Sequence, residues 1–254
     1  MTAEVLIDGP MSKRGHRMLS AMLEAAPSGT VSSSKYTGGH KLLMMYGAGL
    51  PSRQAALEAH RKAGGTVVVW DLGYWDRDDA MRLSIGSLHP TAEQLALAPE
   101  GSRRKHVLRE DADPNGPILL VGLGVKSGRL YGLQTMEWEL GKMWGLKNSG
   151  RKILWRPKGR QSSKLTGATL KHGMPIEEAL KGCSLVVCRH SNVAIDACIA
   201  GVPVECEDGA AFSLYKNGTT PSREDREEFL RRLGWWNWRP TEAVEAWNWI
   251  LKAA

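Results

Sequence analysis

The stretch Cys183-Ser-Leu-Val-Val-Cys-Arg-His-Ser-Asn-Val-Ala-Ile-Asp-Ala-Cys-Ile-Ala-Gly-Val-Pro-Val-Glu-Cys-Glu207 decides the fold class. Leu185 to Cys188 is a short apolar run without polar alternation, the pattern of a parallel strand buried on both faces. Ser191 or Asn192 then caps a helix that ends at Gly201, and Pro203 and Val204 open the next strand. A strand, a polar turn at its carboxyl end and a helix whose first amides point back at that turn make a binding place for a phosphate or a ribose. The bland alternative is that Ser191 only caps the helix and Asp196 sits on its solvated face.

Working outward, Pro117-Ile-Leu-Leu-Val121 begins an alternating unit. It continues through Gly122-Leu-Gly-Val-Lys-Ser-Gly128, a helix over residues 134–147 and a strand Lys152-Ile-Leu-Trp155 that ends in Arg156-Pro157-Lys158. Upstream, Val5-Leu-Ile-Asp8 and residues 14–25 form a βα unit, with Met18, Leu19, Met22 and Leu23 on one helical face and Gly9-Pro10 as the turn. Residues 30–35 and Lys41-Leu-Leu-Met-Met-Tyr46 read as two more strands, Pro51 opens a helix stopped by Gly64-Gly65, and Thr66-Val-Val-Val-Trp70 is another buried strand leading to Asp71-Leu-Gly-Tyr-Trp75. Strands and helices alternating at this spacing imply α/β architecture with parallel, doubly wound sheets. We divide the chain into Rossmann-like domains over residues 1–114 and 115–221, followed by C-terminal helices over residues 222–254.

The organising stretch also resembles the nucleotide-sugar half of GT-B glycosyltransferases, through His190, Ser191, Asn192, Asp196, Ala197, Gly201 and Pro203, with Asp196 where that family more often has Glu. The resemblance implies two parallel sheets facing a cleft, C-terminal helices crossing back to the first domain, and a donor site at His190, Ser191, Asn192 and Asp196, to which we add, from their own chemistry, Gly122, Gly124, Lys126, Ser127, Arg156 and Lys158. The glycine loop with Lys126 and Ser127 suits a diphosphate. An NADP-dependent oxidoreductase is the rival, with Arg156 and Lys158 meeting a 2′-phosphate.

Sugar transfer to a hydroxyl needs a base and positive groups for the leaving nucleotide. Asp71 at a strand end is the first candidate base, Asp8 the second and His89 the third. Asp76-Arg77-Asp78 matches a metal-binding triplet of another glycosyltransferase fold but stands in a polar run, so we expect it to start a turn or a helix and assign no metal. No cofactor is expected to be tightly bound; the co-substrate is a nucleotide sugar.

The 254 residues carry a net charge of +7, with 42% hydrophobic and 24% charged residues, an ordinary globular composition. No apolar run approaches the ~20 residues of a membrane span, and the first residues have no basic, apolar leader pattern, which predicts a cytoplasmic protein. Four Cys between 183 and 206 lack paired Cys-x-x-Cys spacing and read as structural thiols. Residues 140–176 hold nine Lys or Arg, among them Lys142, Lys147, Arg151, Arg160 and Lys164, and no Asp or Glu. Such a skew favours a polyanion.

Tyr46-Gly-Ala-Gly-Leu-Pro51, Asp71-Leu-Gly-Tyr-Trp75 and Arg82-Leu-Ser-Ile-Gly-Ser-Leu-His-Pro90 further resemble proteins encoded by tailed phages. That likeness implies a small phage enzyme, at work in the cytoplasm of an infected bacterium, that moves a sugar from a UDP-glucose type donor to 5-hydroxymethyluracil or 5-hydroxymethylcytosine in double-stranded DNA. The DNA would be held by Arg103, Arg104, Lys105, Lys147, Arg151 and Lys164. A glycosyltransferase acting on an envelope glycan and a non-catalytic DNA-binding protein are the other readings. The C-terminal tryptophans are expected to pack, and the oligomeric state is not legible.

Overall fold

The computed structural model describes the chain apart from Met1, Pro10, residues 159–163, His172 and the side chain of Asn217, so Pro10 of the first turn and Arg160 of the basic stretch lie outside the described residues. The elements run β1 (Ala3–Leu6), α1 (Lys13–Glu24), β2 (Thr30–Ser33), β3 (Leu42–Tyr46), α2 (Pro51–Lys62), β4 (Thr66–Leu72), β5 (Met81–Ile85) and α3 (Ala92–Ala96). They continue with β6 (Ile118–Val121), α4 (Val125–Leu130), α5 (Glu137–Leu146), β7 (Ile153–Arg156), β8 (Thr169–Leu170), α6 (Ile176–Leu180), β9 (Leu185–Cys188), α7 (Val193–Ala200) and β10 (Val204–Cys206). The chain ends with α8 (Phe212–Tyr215), α9 (Arg223–Leu233), β11 (Asn237–Trp238) and α10 (Ala243–Ala253). Two units result: Met1–Arg104 together with Arg231–Ala254, and Lys105–Leu230.

In the first unit the strand order is β11-β5-β4-β3-β1-β2, with β1 to β4 mutually parallel. The apolar run Leu42 to Met45 is wholly buried, as a strand covered on both faces requires. Helix α1 starts where the Ser12 hydroxyl accepts the Gly15 amide at 3.1 Å, and it buries Met18, Leu19 and Met22 at helical spacing. A Cβ on Gly15 would lie 2.7 Å from the Tyr46 ring, so glycine is what lets α1 cross the end of β3 so closely. Helix α10 packs on α1, and the Trp247 indole N–H donates to the Met22 carbonyl at 2.6 Å.

The sequence implied parallel strands only, yet β5 runs antiparallel to β4, and β11 antiparallel to β5. The chain reverses after β4 because the Asp76 carbonyl accepts both the Asp79 and Ala80 amides, with Asp76 at φ +48°. Gly73 permits the tight return, since a Cβ there would sit 2.6 Å from the Ala80 carbonyl oxygen. Strand β4 runs two residues beyond its apolar core, so Asp71 lies inside the ladder, directly opposite Arg82.

The second sheet is parallel throughout, in the order β10-β9-β6-β7-β8. Numbered within this unit the order is 3-2-1-4-5 read from β8, so the direction of winding reverses between β6 and β9. Ile118, Leu120, Trp155 and Val187 of the sheet and Trp138 and Met143 of α5 form its core. Full burial of each such aliphatic side chain stabilises by about 1.5–3 kcal/mol. Gly201 ends α7 at φ +75°, with no room for a side chain: a Cβ would meet the Arg109 carbonyl oxygen at 2.5 Å. The four cysteines are unpaired, and burial pushes the Cys183 thiol up to about 11 and the Cys188 and Cys198 thiols up to about 12. Among the described residues no helix is long and apolar enough to cross a membrane.

Candidate functional site

Where winding reverses in a parallel sheet, the two neighbouring strands send their connections to opposite faces, leaving a crevice at their carboxyl ends. In the second unit that point lies beyond Val121 and Cys188. The turn after β6 is anchored by the Gly122 amide on the Arg156 carbonyl at 2.9 Å and by the Leu123 amide on the Glu139 carboxylate at 2.8 Å. Gly122 is pressed against β7, since a Cβ there would lie 2.8 Å from the Trp155 ring. Gly124 takes φ +81° beneath the stem of Lys158.

The turn after β9 meets this loop through His190. Its ring lies between the Ser127 hydroxyl, 3.1 Å from Nε2, and the Tyr131 hydroxyl, 3.1 Å from Nδ1, with an Asp208 carboxylate oxygen 3.7 Å away. A neutral imidazole can give one proton and take one here, and the two hydroxyls can match either tautomer. The Arg189 guanidinium stacks 3.8 Å from the centre of the Tyr131 ring and reaches Glu207 at 3.4 Å. Burial, reinforced by the hydrogen bond to Asp208, pushes the Tyr131 phenol well above its ordinary range. Glu207 goes the other way: burial opposes its charge, but the Trp138 indole at 2.7 Å and the Lys142 ammonium at 3.1 Å outweigh it and hold the carboxyl below its usual value.

On α7 the Ser191 hydroxyl accepts the Val193 amide at 3.3 Å, and Ser191, Asn192 and Asp196 are all half-buried. Asn192 and Asp196 are one helical turn apart, on the face that Ala194, Ile195, Ala197 and Cys198 leave to the side. Lys126 is exposed on α4. Arg156 donates to the Met174 carbonyl at 2.8 Å, a commitment that competes with the 2′-phosphate contact an NADP site would ask of it.

No protein-family model matches the chain, and no curated protein matches it. Solved structures do. The β-Kdo 2,4-transferase of Thermosulfurimonas dismutans KpsC aligns over 96% of this chain and 94% of its own, with TM-score 0.53 and 14% identity. The β-Kdo 2,7-transferase of the same KpsC aligns over 97% and 99%, with TM-score 0.53 and 13% identity. The chain has a GT-B-like glycosyltransferase fold. A spinosyn rhamnosyltransferase, SpnG, aligns with TM-score 0.38 and 12% identity and adds nothing to that conclusion.

In the first unit of this glycosyltransferase fold the expected carboxylates are already in ion pairs. Asp8 lies beyond β1, with Arg53 Nε at 2.7 Å and the Ser52 hydroxyl at 3.4 Å, and only 12% of its side chain is exposed. Asp71 accepts from Arg82 at 2.8 Å while 39% of its side chain stays exposed. The same guanidinium lies 2.6 Å from His89 Nδ1, so the residues of two sequence motifs converge on one buried arginine. Tyr74 belongs to this group too, its phenol pushed up to about 12 by burial against the opposing pull of Arg82.

The basic residues fall into two sets. Arg103 lies over the Trp238 ring at 3.4 Å and pairs with Glu242 at 2.9 Å, Arg104 lies 3.6 Å from Glu242, and Lys142 pairs with Glu205 at 2.7 Å, so these charges have internal partners. Lys105, Lys147, Arg151 and Lys164 are exposed and form no ion pair among the described residues. The acids that answer Lys142 stand 63 and 65 residues further along the chain, beyond the window in which the skew was seen. Asp76 is in a turn, as expected, and takes Arg239 at 2.7 Å. The sequence reading missed Tyr131, Glu139, Arg189 and Asp208, which hold the two strand-end turns together.

Proposed function

We propose that the chain is a glycosyltransferase whose nucleotide-sugar donor sits at the carboxyl ends of β6 and β9. The observation that carries this reading is the Ser127–His190 hydrogen bond, which joins two strand-end turns 63 residues apart at the point where winding reverses. The glycine turn with the exposed Lys126, and the half-buried Ser191, Asn192 and Asp196, supply the anion- and hydroxyl-binding groups a nucleotide diphosphate needs. In the transfer the acceptor oxygen bonds to the anomeric carbon as the bond to the leaving phosphate oxygen breaks, and the acceptor's proton passes to a base. Asp71 is the better base candidate: its carboxylate, held by Arg82 and by the Leu72 amide, keeps 39% of the side chain exposed, whereas Asp8 sits in a buried pair with 12% exposed.

Titration calorimetry with nucleoside diphosphates and with NADP tests the donor site. Binding of at least one diphosphate, weakened by Asp196→Ala, is the expected result; tight NADP binding without it turns the reading toward an oxidoreductase. Asp71→Asn is expected to lower turnover by about 10²-fold with nucleotide binding unchanged.

On the resemblance alone the donor is a UDP-sugar and the acceptor a hydroxymethylated pyrimidine in DNA. The unpaired Lys147, Arg151 and Lys164 support a polyanionic acceptor, whose affinity would fall log-linearly with salt at a slope of about −0.9 per phosphate contact. An envelope glycan is the alternative acceptor. Mass spectrometry of hydroxymethylated duplex and of glycan acceptors, each incubated with a panel of nucleotide sugars, separates them.

A further inference from the structure

Beside the β6 turn the second unit contains a cavity of about 240 Å³, lined by Leu123, Leu133, Met136, Thr135, Arg129 and Glu139 among others. Sites that take a whole drug-sized ligand run to ~300–1,000 Å³, so this one holds a single moiety such as a heterocycle. Leu123, Leu133 and Met136 give it an apolar side that suits a flat ring, and Arg129, Gln134, Thr135 and Glu139 a polar one. Met136 is one of two non-glycine residues with positive φ among the described residues, at +64°, a conformation that costs about 1 kcal/mol or more and persists where surrounding structure enforces it.

Glu139 is the unusual group. It is 3% exposed, and its only hydrogen bond or ion pair among the described residues is the Leu123 amide on one carboxylate oxygen. A carboxylate buried with so few partners is costly unless a ligand supplies another donor. Carboxylates only accept, so the group that faces Glu139 must donate. Cytosine, adenine and guanine present an exocyclic amine, and Glu accepting from cytosine N4 is an established pairing; uracil and thymine present carbonyl oxygens on either side of one N–H and are repelled.

We infer that this cavity is a base-selective subsite in which Glu139 accepts a hydrogen bond from the exocyclic amine of the donor nucleotide's base, excluding uracil and thymine. The inference rests on the nucleotide-donor reading and departs from the UDP-sugar that the resemblance implies. The Leu123 amide that Glu139 also holds belongs to the glycine turn, so the same side chain fixes the phosphate-binding loop and reads the base.

The test is calorimetry of the full chain with ADP, CDP, GDP, UDP and dTDP. The tightest of the three amino-bearing nucleotides is expected to bind at least about tenfold better than UDP and dTDP, the scale of a hydrogen bond to a charged group. Glu139→Gln keeps an acceptor for Leu123 and offers an N–H₂ to the ligand, so it should bring UDP to within about threefold of the best binder. Val125→Trp, a change at an exposed position of the cavity wall, should weaken every nucleotide. The wild-type ranking stands even if the Gln variant does not fold. UDP binding as tightly as the amino-bearing set, or a preference that Glu139→Gln leaves untouched, overturns the subsite and leaves the donor reading intact. Absence of binding by all five overturns both.

Discussion

The two sheets differ in what stands at the carboxyl ends of their strands. In the first, the charged groups close on one another: Asp8 with Arg53, Asp71 with Arg82, each arginine largely buried. In the second, the corresponding turns are held by a half-open polar hub around His190 and by a carboxylate, Glu139, with spare accepting capacity. An ion pair spends its charges internally and builds a rigid edge. A hub of hydroxyls beside the Arg189 pair, with one carboxylate that accepts a single amide, keeps capacity for a ligand, which favours the proposed placement of the nucleotide in the second unit.

The sharpest break of this contrast is Arg53→Met. It leaves Asp8 without its partner in a site where the arginine side chain is 4% and the aspartate 12% exposed. Removing one member of a buried pair costs about 3–5 kcal/mol, so the urea midpoint of the first unit should fall markedly while nucleotide binding by the second persists. Restored stability in Arg53→Met combined with Asp8→Asn would confirm that the orphaned charge is the cause.

Within the glycine turn the effect is smaller and position-specific. Gly122→Ala should cost about 1–3 kcal/mol, because its Cβ meets the Trp155 ring at 2.8 Å. Gly128→Ala should be neutral or stabilising by up to about 1 kcal/mol, since it lies inside α4 and its Cβ makes only ordinary contact at 3.5 Å. Thermal unfolding of the two variants checks this; equal losses would mean that both glycines serve backbone freedom rather than packing.

The smallest expected effect is a pH slope. Glu4 is wholly buried on β1; burial works against its charge, but the Ser33 hydroxyl at 2.5 Å and the amides of Thr37 and Gly38 outweigh it, so its carboxyl lies below the ordinary 4.5. A lowered folded value means that the stabilisation is present above pH 4.5 and fades as pH falls through the folded value. Glu4→Gln should therefore melt earlier than wild type at pH 7, with the gap narrowing below pH 4.5. Glu207→Gln should show the same sign with a shallower slope, because 35% of that side chain faces solvent and screening is stronger.

Much of the second sheet was legible because its central strands β6 and β9 are uninterrupted apolar runs, which periodicity reads directly: Leu185–Cys188 falls where expected. The first sheet was legible only up to β4. Met81-Arg-Leu-Ser-Ile85 does alternate, but its antiparallel pairing with β4 depends on the reversal at Asp76, and the two residues of β11 leave no periodic signal. The strand-end turns were visible through Gly122 and Ser191. Glu139 and Asp208 were not, because a carboxylate's partner across the fold leaves no local mark and both residues sit in ordinary charged surroundings.

The cysteines and tryptophans are unevenly dealt between the units. All four cysteines belong to the second, while seven of the ten tryptophans belong to the first. Cys183, Cys188 and Cys198 are buried, with thiols held far from the reactive thiolate form. Alkylation of these three thiols therefore times the opening of one half, while indole fluorescence is weighted toward the other. The chain carries its own two clocks, and each half can be watched coming apart without a label being added.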